Sequence, residues 1–455
     1  MEKKTISGFS KLSKRGKIKW IVDNFFKDPE NVMRELKSYW LDNEEHQQIL
    51  DGISENSISN YVLPYSVAPN FLLNGKHYAV PMVTEESSVV AAASSAAKFW
   101  LSRGGFHARI IDTEKIGHIH FLWTGRAELL EARLDQLIAK IKDDIAPISK
   151  NMSARGGGVK RIELKDFTGR MANYYQLMFY FETMDSMGAN FINSVLEQAA
   201  KTLDRFMLAQ EDFDPPEREV DILMSILSNY TPDCLVEAWV ECPVEDLGSS
   251  SGRYTASDLA RRFCKAVKIA KIDPFRATTH NKGIFNGIDA VVIATGNDFR
   301  AIEAGGHTYA SRDGQYRGLS DCMMEDGIFR FSLRVPISVG TVGGLTSLHP
   351  FAKRSFELLG HPDARELMCI IAATGLAQNF AAIRSLVTTG IQKGHMRMHL
   401  GNILNQLKAS PVEKEAAIAY FDTETVSFQK VRDYIESMRT KEVRVNPENR
   451  DPAWG

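Results

Sequence analysis

Cysteine is scarce: five residues in 455, Cys234, Cys242, Cys264, Cys322 and Cys369, with no Cys-x-x-Cys pair. That spacing argues against a zinc ribbon or a disulfide-stapled scaffold and suits a reducing compartment. The longest apolar run, Leu367 to Ala377, is interrupted by Thr374 and Gly375 and falls short of the roughly 20 residues a membrane span requires. A secretory leader is not expected either, because the basic start (Lys3, Lys4, Lys11, Lys14, Arg15, Lys17, Lys19) is followed by no apolar h-region. Those lysines read as a solvated helix face. An excess of charge of one sign is also missing, with 55 basic against 57 acidic residues and a net charge of −2, so nucleic acid is not an expected partner. The expectation is a soluble cytoplasmic protein of two or three domains.

Familiar catalytic and nucleotide motifs are missing or misplaced. There is no G-x-G-x-x-G and no Walker lysine motif. Gly248-Ser249-Ser250-Ser251-Gly252 has the G-x-S-x-G letters, but it lies in a polar link without the strand and helix a nucleophile elbow needs. His118 and His120 share a strand face without an acidic or cysteine partner, and His395 and His399 share a helix face with Met396 where a zinc protease needs glutamate. No metal is expected.

What is present has a clear order. Residues 1–50 read as helical, broken at Asp28-Pro29, and strands over 59–66 and 78–84 flank the turn Leu73-Asn74-Gly75-Lys76. A small-residue helix, Val89 to Trp100, follows. From about 108 to 221 short strands (107–111, 116–121, 159–166, 174–181) alternate with helices (127–145, 189–210), the succession of a split β-α-β unit. The fold class expected is α+β: a large mixed α/β domain (1–107 and 222–389), a ferredoxin-like small domain (108–221) inserted into it, a helical flap (390–441) and a polar tail (442–455). Without a glycine fingerprint, the nucleotide-binding candidates are Gly156-Gly157-Gly158 and Asp185-Ser186-Met187-Gly188-Ala189-Asn190, which opens a helix where free amides attract phosphate.

The stretch "THNKGIFNGIDAVVIATGNDF" sets Lys282 and Asp298 at its ends. In one straight helix the two would lie roughly 24 Å apart. Gly283, Gly287 and Gly296 make a bend available, so tertiary structure must decide whether the charges meet. By type, Lys282 can stabilise an oxyanion. Glu86 either answers the dipole of the helix it precedes or acts as a general acid. Asp298 either caps a turn or takes part in chemistry. His395 has the right pKa range for proton transfer.

Six stretches, "LPYSVAPNF", "VPMVTEESSVVAAAS", "DSMGANFIN", "DPFRATTHNKGIFNGIDAVVIATGNDFRAIEAGGH", "GTVGGLTSLHP" and "GLAQNFAAIRSLVTTGIQKGHMRMH", together resemble the class II, bacterial form of the 3-hydroxy-3-methylglutaryl-CoA (HMG-CoA) reductase family, over about residues 10–435. The resemblance implies interconversion of HMG-CoA with mevalonate and CoA by two hydride transfers from NADPH or NADH. It gives Glu86 as proton donor, Lys282 as oxyanion stabiliser, Asp298 as the hydrogen-bonded link between them and His395 as the acid for the CoA thiolate. Arg276 would hold the free carboxylate of the acyl group, with Ser88 and Asn286 beside it. Asp185, Met187, Gly188, Ala189, Asn190 and Asn193 would contact the dinucleotide. A homodimer with shared sites, able to build larger assemblies, is implied. Before the triple glycine, Ser149, Lys150, Ser153 and Arg155 offer hydroxyls and cations but no carboxylate, which favours NADPH. A catalytically silent or non-redox CoA-ester-binding protein, thioesterase- or lyase-like, is the alternative on the same fold.

Overall fold

The computed structural model describes residues 5–248, 254–388, 400–422 and 424–445. His395, His399 and most of the 248–252 motif therefore lie outside the described residues.

Three capped helices open the chain: α1 (Lys14–Phe25), α2 (Pro29–Ser38) and α3 (Glu44–Asp51), with Ser13, Asp28 and Asn43 accepting hydrogen bonds from first-turn amides. The expected break at Asp28-Pro29 is a helix start, proline occupying a position whose N–H has no helical partner. Strands β1 (Tyr65–Leu73) and β2 (Lys76–Val83) form an antiparallel hairpin. Its turn residues, Asn74 at φ 50° and Gly75 at φ 80°, suit the right-handed strand twist. The strand expected from residue 59 begins only at Tyr65, because its partner ends at Val83. Helix α4 (Val89–Leu101) follows.

Strand β3 (His107–Ile110) leads into β4 (Lys115–Leu122), α5 (Ala127–Ser153), β5 (Gly158–Asp166), β6 (Tyr174–Glu182), α6 (Ala189–Leu208) and β7 (Asp221–Leu227). Strands β4 to β7 form one antiparallel sheet in the order β5-β6-β4-β7. That is the fourth-first-third-second order of a ferredoxin-like unit. Two helical faces cover this sheet with their own core, including Phe121, Phe179, Phe181, Leu137, Ile141 and Leu196. Sheet pairing differs from the expected limits of 108 and 221 by one strand at each end. β3 bonds to the other sheet, and β7, whose outward residues Leu223, Met224 and Ile226 are exposed, completes this one. The missing polar alternation on β7 hid it in the sequence. Helix α5 also runs past the expected end at Ile145 and through Pro147.

The second sheet has the order β3-β8-β10-β9, using β8 (Leu235–Pro243), β9 (Ser320–Glu325) and β10 (Ile328–Pro336). Around it pack α7 (Ala256–Ile272), α8 (Pro274–Ala294), α9 (Phe299–Ala310), α10 (Leu345–Leu348), α11 (Pro350–Leu359) and α12 (Ala364–Val387). α12 is the only described helix long and apolar enough to cross a bilayer, and 83% of its most apolar window is buried inside the protein. It lies against α8 so closely that a β-carbon on Gly287 would meet the Thr374 carbonyl oxygen at 2.8 Å, and one on Gly375 would meet Ile288 at 2.7 Å. A carboxyl-terminal unit, with α13 (Pro411–Tyr420) and α14 (Phe428–Val445), has a separate core around Leu404, Phe421, Val431 and Ile435.

One cysteine expectation is corrected. Cys264 of α7 and Cys322 of β9 form a disulfide across 58 residues of sequence, while Cys234, Cys242 and Cys369 are buried free thiols. The pair meets only through packing of α7 on β9, which local spacing does not reveal.

Candidate functional site

Lys282 sits in the middle of α8, which runs unbroken through Gly283 and Gly287. The expected bend at those glycines is not present. Gly287 instead allows α12 to approach, and the chain reverses only beyond the helix, at Gly296 with φ 68°. Lys282 Nζ reaches across to Glu86 Oε2 at 2.5 Å. Glu86 lies in the turn between β2 and α4, where its amide donates to Thr84 Oγ1 at 3.2 Å. Both side chains remain partly open, 59% and 38% exposed, so solvent or a ligand can reach the pair.

Asp298 does not join them directly. It is the N-cap of α9, accepting from the amides of Arg300 and Ala301, and it pairs with the Arg300 guanidinium at 3.1 and 3.2 Å. Among the described residues no ion pair links it to Lys282. Its neighbour Asn297 accepts from the Gly340 amide at 2.9 Å, which ties this turn to the 340–344 glycine segment.

Around the pair stand groups that a polar ligand could engage. Ser88 begins α4 in the left-handed region, φ 78°, and its hydroxyl caps nothing. A non-glycine residue held there is under strain, and the first amides of α4 have no side-chain cap. Asn286, one turn beyond Lys282 on α8, makes no hydrogen bond among the described residues. Arg276, about 9 Å earlier along the α8 axis, is half-buried, has no acidic partner among the described residues, and has its pKa lowered by burial. A half-buried cation lacking its counter-charge favours an incoming carboxylate.

Two residues escaped the sequence reading. Gln378 of α12 is 6% exposed, its side chain abuts Gly287, and its amide oxygen has no partner among the described residues. The visible signal was a lone amide pair, Gln378-Asn379, inside an apolar helix. Asp289, on the α8 stripe of Lys282 and Asn286, has its carboxyl pKa raised by burial and then by Glu303 and Glu85.

The dinucleotide candidates gather where the two sheets meet. Gly188, at φ 89°, precedes α6, and a β-carbon there would strike Thr183 at 2.5 Å. No side chain caps α6, so the amides of its first turn, at Ala189 and Asn190, remain available. Met187 turns its carbonyl inward to Lys115. Asp185 is used structurally: its carboxylate accepts from the Ala364 amide at 2.9 Å, and its carbonyl accepts from Thr341 at 2.8 Å. Asn193 holds β7 through the Leu227 amide at 3.0 Å. The triple glycine lies beside this loop, with Gly156 near Met184 and Gly157 against the Glu182 carbonyl. The arrangement offers an uncapped helix start beside a glycine turn, with Lys150 and Arg155 close to that turn in sequence, which fits a dinucleotide carrying an extra phosphate. Among the described residues no cluster of three or more potential metal ligands occurs.

Compared with known proteins, residues 21–400 match the family described as hydroxymethylglutaryl-coenzyme A reductase. A 3-hydroxy-3-methylglutaryl-coenzyme A reductase of Archaeoglobus fulgidus is 36% identical over 403 residues, covering 88% of this chain and 86% of the relative. A probable reductase of the same name from Borreliella burgdorferi is 32% identical over 408 residues, 90% of each chain. A Streptococcus pneumoniae reductase structure superposes with TM-score 0.70 at 34% identity, covering 95% of this chain and all of that one. A class II Streptococcus pneumoniae reductase bound to NADPH in open conformations gives 0.69 at 36% identity, covering 84% of this chain and all of that one.

Proposed function

The chain belongs to the hydroxymethylglutaryl-coenzyme A reductase family, an oxidoreductase family interconverting HMG-CoA with mevalonate and CoA, and on that premise we propose that Lys282 and Glu86 form its reacting centre. The observation that carries this assignment is their 2.5 Å contact, made between elements 196 residues apart and left open to solvent. An ammonium so placed stabilises the negative charge that gathers on the acyl oxygen, and a carboxyl group bonded to it is positioned to deliver a proton there. Arg276 would take the free carboxylate of the acyl group in a two-pronged bond, with Ser88 and Asn286 donating to neighbouring oxygens. Asp298 would act by exchanging Arg300 for the Lys282 ammonium as substrate settles. His395 would protonate the departing thiolate from a flap over residues 390–441.

NADPH, as bound by the pneumococcal relative, supplies the hydride when present. Met187, Gly188, Ala189 and Asn190 would receive its phosphates at the start of α6, while Asp185 and Asn193 would shape that start through the contacts described above. Lys150 and Arg155 favour the 2′-phosphate. The β4–β7 unit is thus the nucleotide domain and the remainder, with α4, α8 and α12, the CoA-ester domain. We place the enzyme in the cytoplasm as a homodimer with sites shared between subunits.

The test is an absorbance assay with purified protein, HMG-CoA and each nicotinamide cofactor. Two NADPH consumed per CoA released supports the reading. CoA release without NADPH oxidation would identify a thioesterase or lyase instead, and a strong preference for NADH would refute the cofactor choice.

A further inference from the structure

Lys115, at the start of β4, is 5% exposed. Its ammonium donates to Thr183 Oγ1 at 2.6 Å, to the Ser186 carbonyl at 2.9 Å and to the Met187 carbonyl at 3.1 Å. Thr183 spends its own hydroxyl proton on the Ser186 carbonyl at 2.7 Å, so it can only accept from Lys115. Three acceptors match the three N–H donors of an ammonium, the form that burial disfavours by lowering the pKa of this group. No carboxylate pairs with it among the described residues. A buried, unpaired cation is costly, yet all of its bonds go to one five-residue turn.

That turn is Thr183 to Met187, directly before the uncapped start of α6. It is held from the opposite side as well: the amides of Thr341 and Val342 donate to the Asp185 carbonyl at 2.8 and 3.3 Å. Gly340 lies so near that a β-carbon would meet the Met187 nitrogen at 2.4 Å. Lys115 also lines two small hollows beside the turn, of about 30 and 120 Å³. The turn is thus held by three bonds from the ammonium, to Thr183, Ser186 and Met187, and by three from the amides of Thr341, Val342 and Ala364, all to Asp185.

We propose that Lys115 is a positioning residue for the cofactor: by pulling the Ser186 and Met187 carbonyls inward, it turns the amides at the start of α6 outward toward the NADPH phosphates. The proposal rests on the reading of residues 185–190 as the dinucleotide segment. It assigns a role to a residue that makes no hydrogen bond to Lys282 or Glu86 and lies outside every motif quoted above.

The test compares NADPH and HMG-CoA dissociation constants, by fluorescence titration and calorimetry, for wild type, Lys115→Met, Thr183→Val and Ala189→Glu. Lys115→Met is expected to weaken NADPH about tenfold or more, as loss of supporting contacts behind a ligand-binding group commonly does, and HMG-CoA by less than about twofold. Thr183→Val, which removes one of the three acceptors, should weaken NADPH selectively by a smaller factor. Should Lys115→Met fail to fold, Thr183→Val decides alone. NADPH binding left intact, or equal loss of both ligands, overturns the proposal. Ala189→Glu separates the two readings: if it leaves NADPH affinity unchanged, the assignment of this segment to the cofactor fails. If it abolishes NADPH binding while the Lys115 and Thr183 variants bind normally, only the role of Lys115 fails.

Discussion

Asp298 grips Arg300, two residues further on, with both carboxylate oxygens, while Lys282 grips Glu86. If Asp298 acts by changing partner, Arg300 competes with Lys282 for it. We expect Asp298→Asn to lower kcat by about 100-fold or more, the scale of losing one electrostatic stabiliser. Arg300→Ala should lower it by less than about threefold. Steady-state rates on HMG-CoA check this, and equal losses in both variants would show that the Asp298–Arg300 pair itself is what matters.

Lys282→Ala is expected to abolish reduction while the melting temperature changes little, because the side chain is more than half exposed and its one ion pair is open to water. Glu86→Gln keeps the hydrogen bond but cannot supply a proton, so it should retain substrate binding and lose turnover. Calorimetric binding of HMG-CoA alongside the rate assay separates the two effects.

The α8–α12 contact leaves no room at Gly287. Gly287→Ala places a methyl group against the Thr374 carbonyl and the Gln378 side chain, an overpacking expected to cost about 1–3 kcal/mol. Urea denaturation measures it. Gly283→Ala, where nothing lies within 4 Å, should instead be neutral or slightly stabilising, and it serves as the control.

His280 lies one residue before Asn281 and two before Lys282, 1% exposed, with Nε2 bonded to Ser320 at 2.6 Å and Nδ1 without a partner among the described residues. Burial, then the charges of Arg276 and Lys271, lowers its pKa from 6.5 to about 3. The native state therefore holds it neutral, while the unfolded chain takes up a proton below about pH 6.5. Its contribution is complete above that value and is lost as pH falls toward 3, by up to roughly 4 kcal/mol. Stability of wild type and His280→Gln, measured from pH 7 to 4, should converge as the medium becomes acidic. A constant difference would remove the titration from the explanation.

The Cys264–Cys322 bridge closes a 58-residue span, for which the chain-entropy picture gives stabilisation of about 4 kcal/mol. Dithiothreitol should lower the melting temperature of wild type and leave that of Cys264→Ser unchanged. Identical responses would mean that the thiols are unpaired in solution.

Much of the architecture was legible because local signals and tertiary outcome agree. Asn74-Gly75 made its hairpin, Asp28-Pro29 its helix start, and the alternation of strands and helices after β3 gave the inserted unit. The misses share a cause: each depended on a distant partner. β7 is an edge strand with apolar residues facing outward, β9 is recognisable only by its pairing with β10, and the disulfide joins elements with no sequence proximity. At the site, residue types pointed to Lys282 and Glu86 separately, but only the fold shows them in contact. The same fold turns Asp298 toward Arg300 and brings forward Gln378, which in sequence was one amide in an apolar helix.

The bonds between Thr341, Val342 and the Asp185 carbonyl carry a lesson for engineering. Cofactor preference invites transplantation of the inserted unit from one relative to another. Since the 183–187 turn is clasped by backbone from the other half of the chain, a graft that ignores residues 340–342 would deliver a foreign turn to a mismatched clasp. Chimaeras should exchange the two segments as a set.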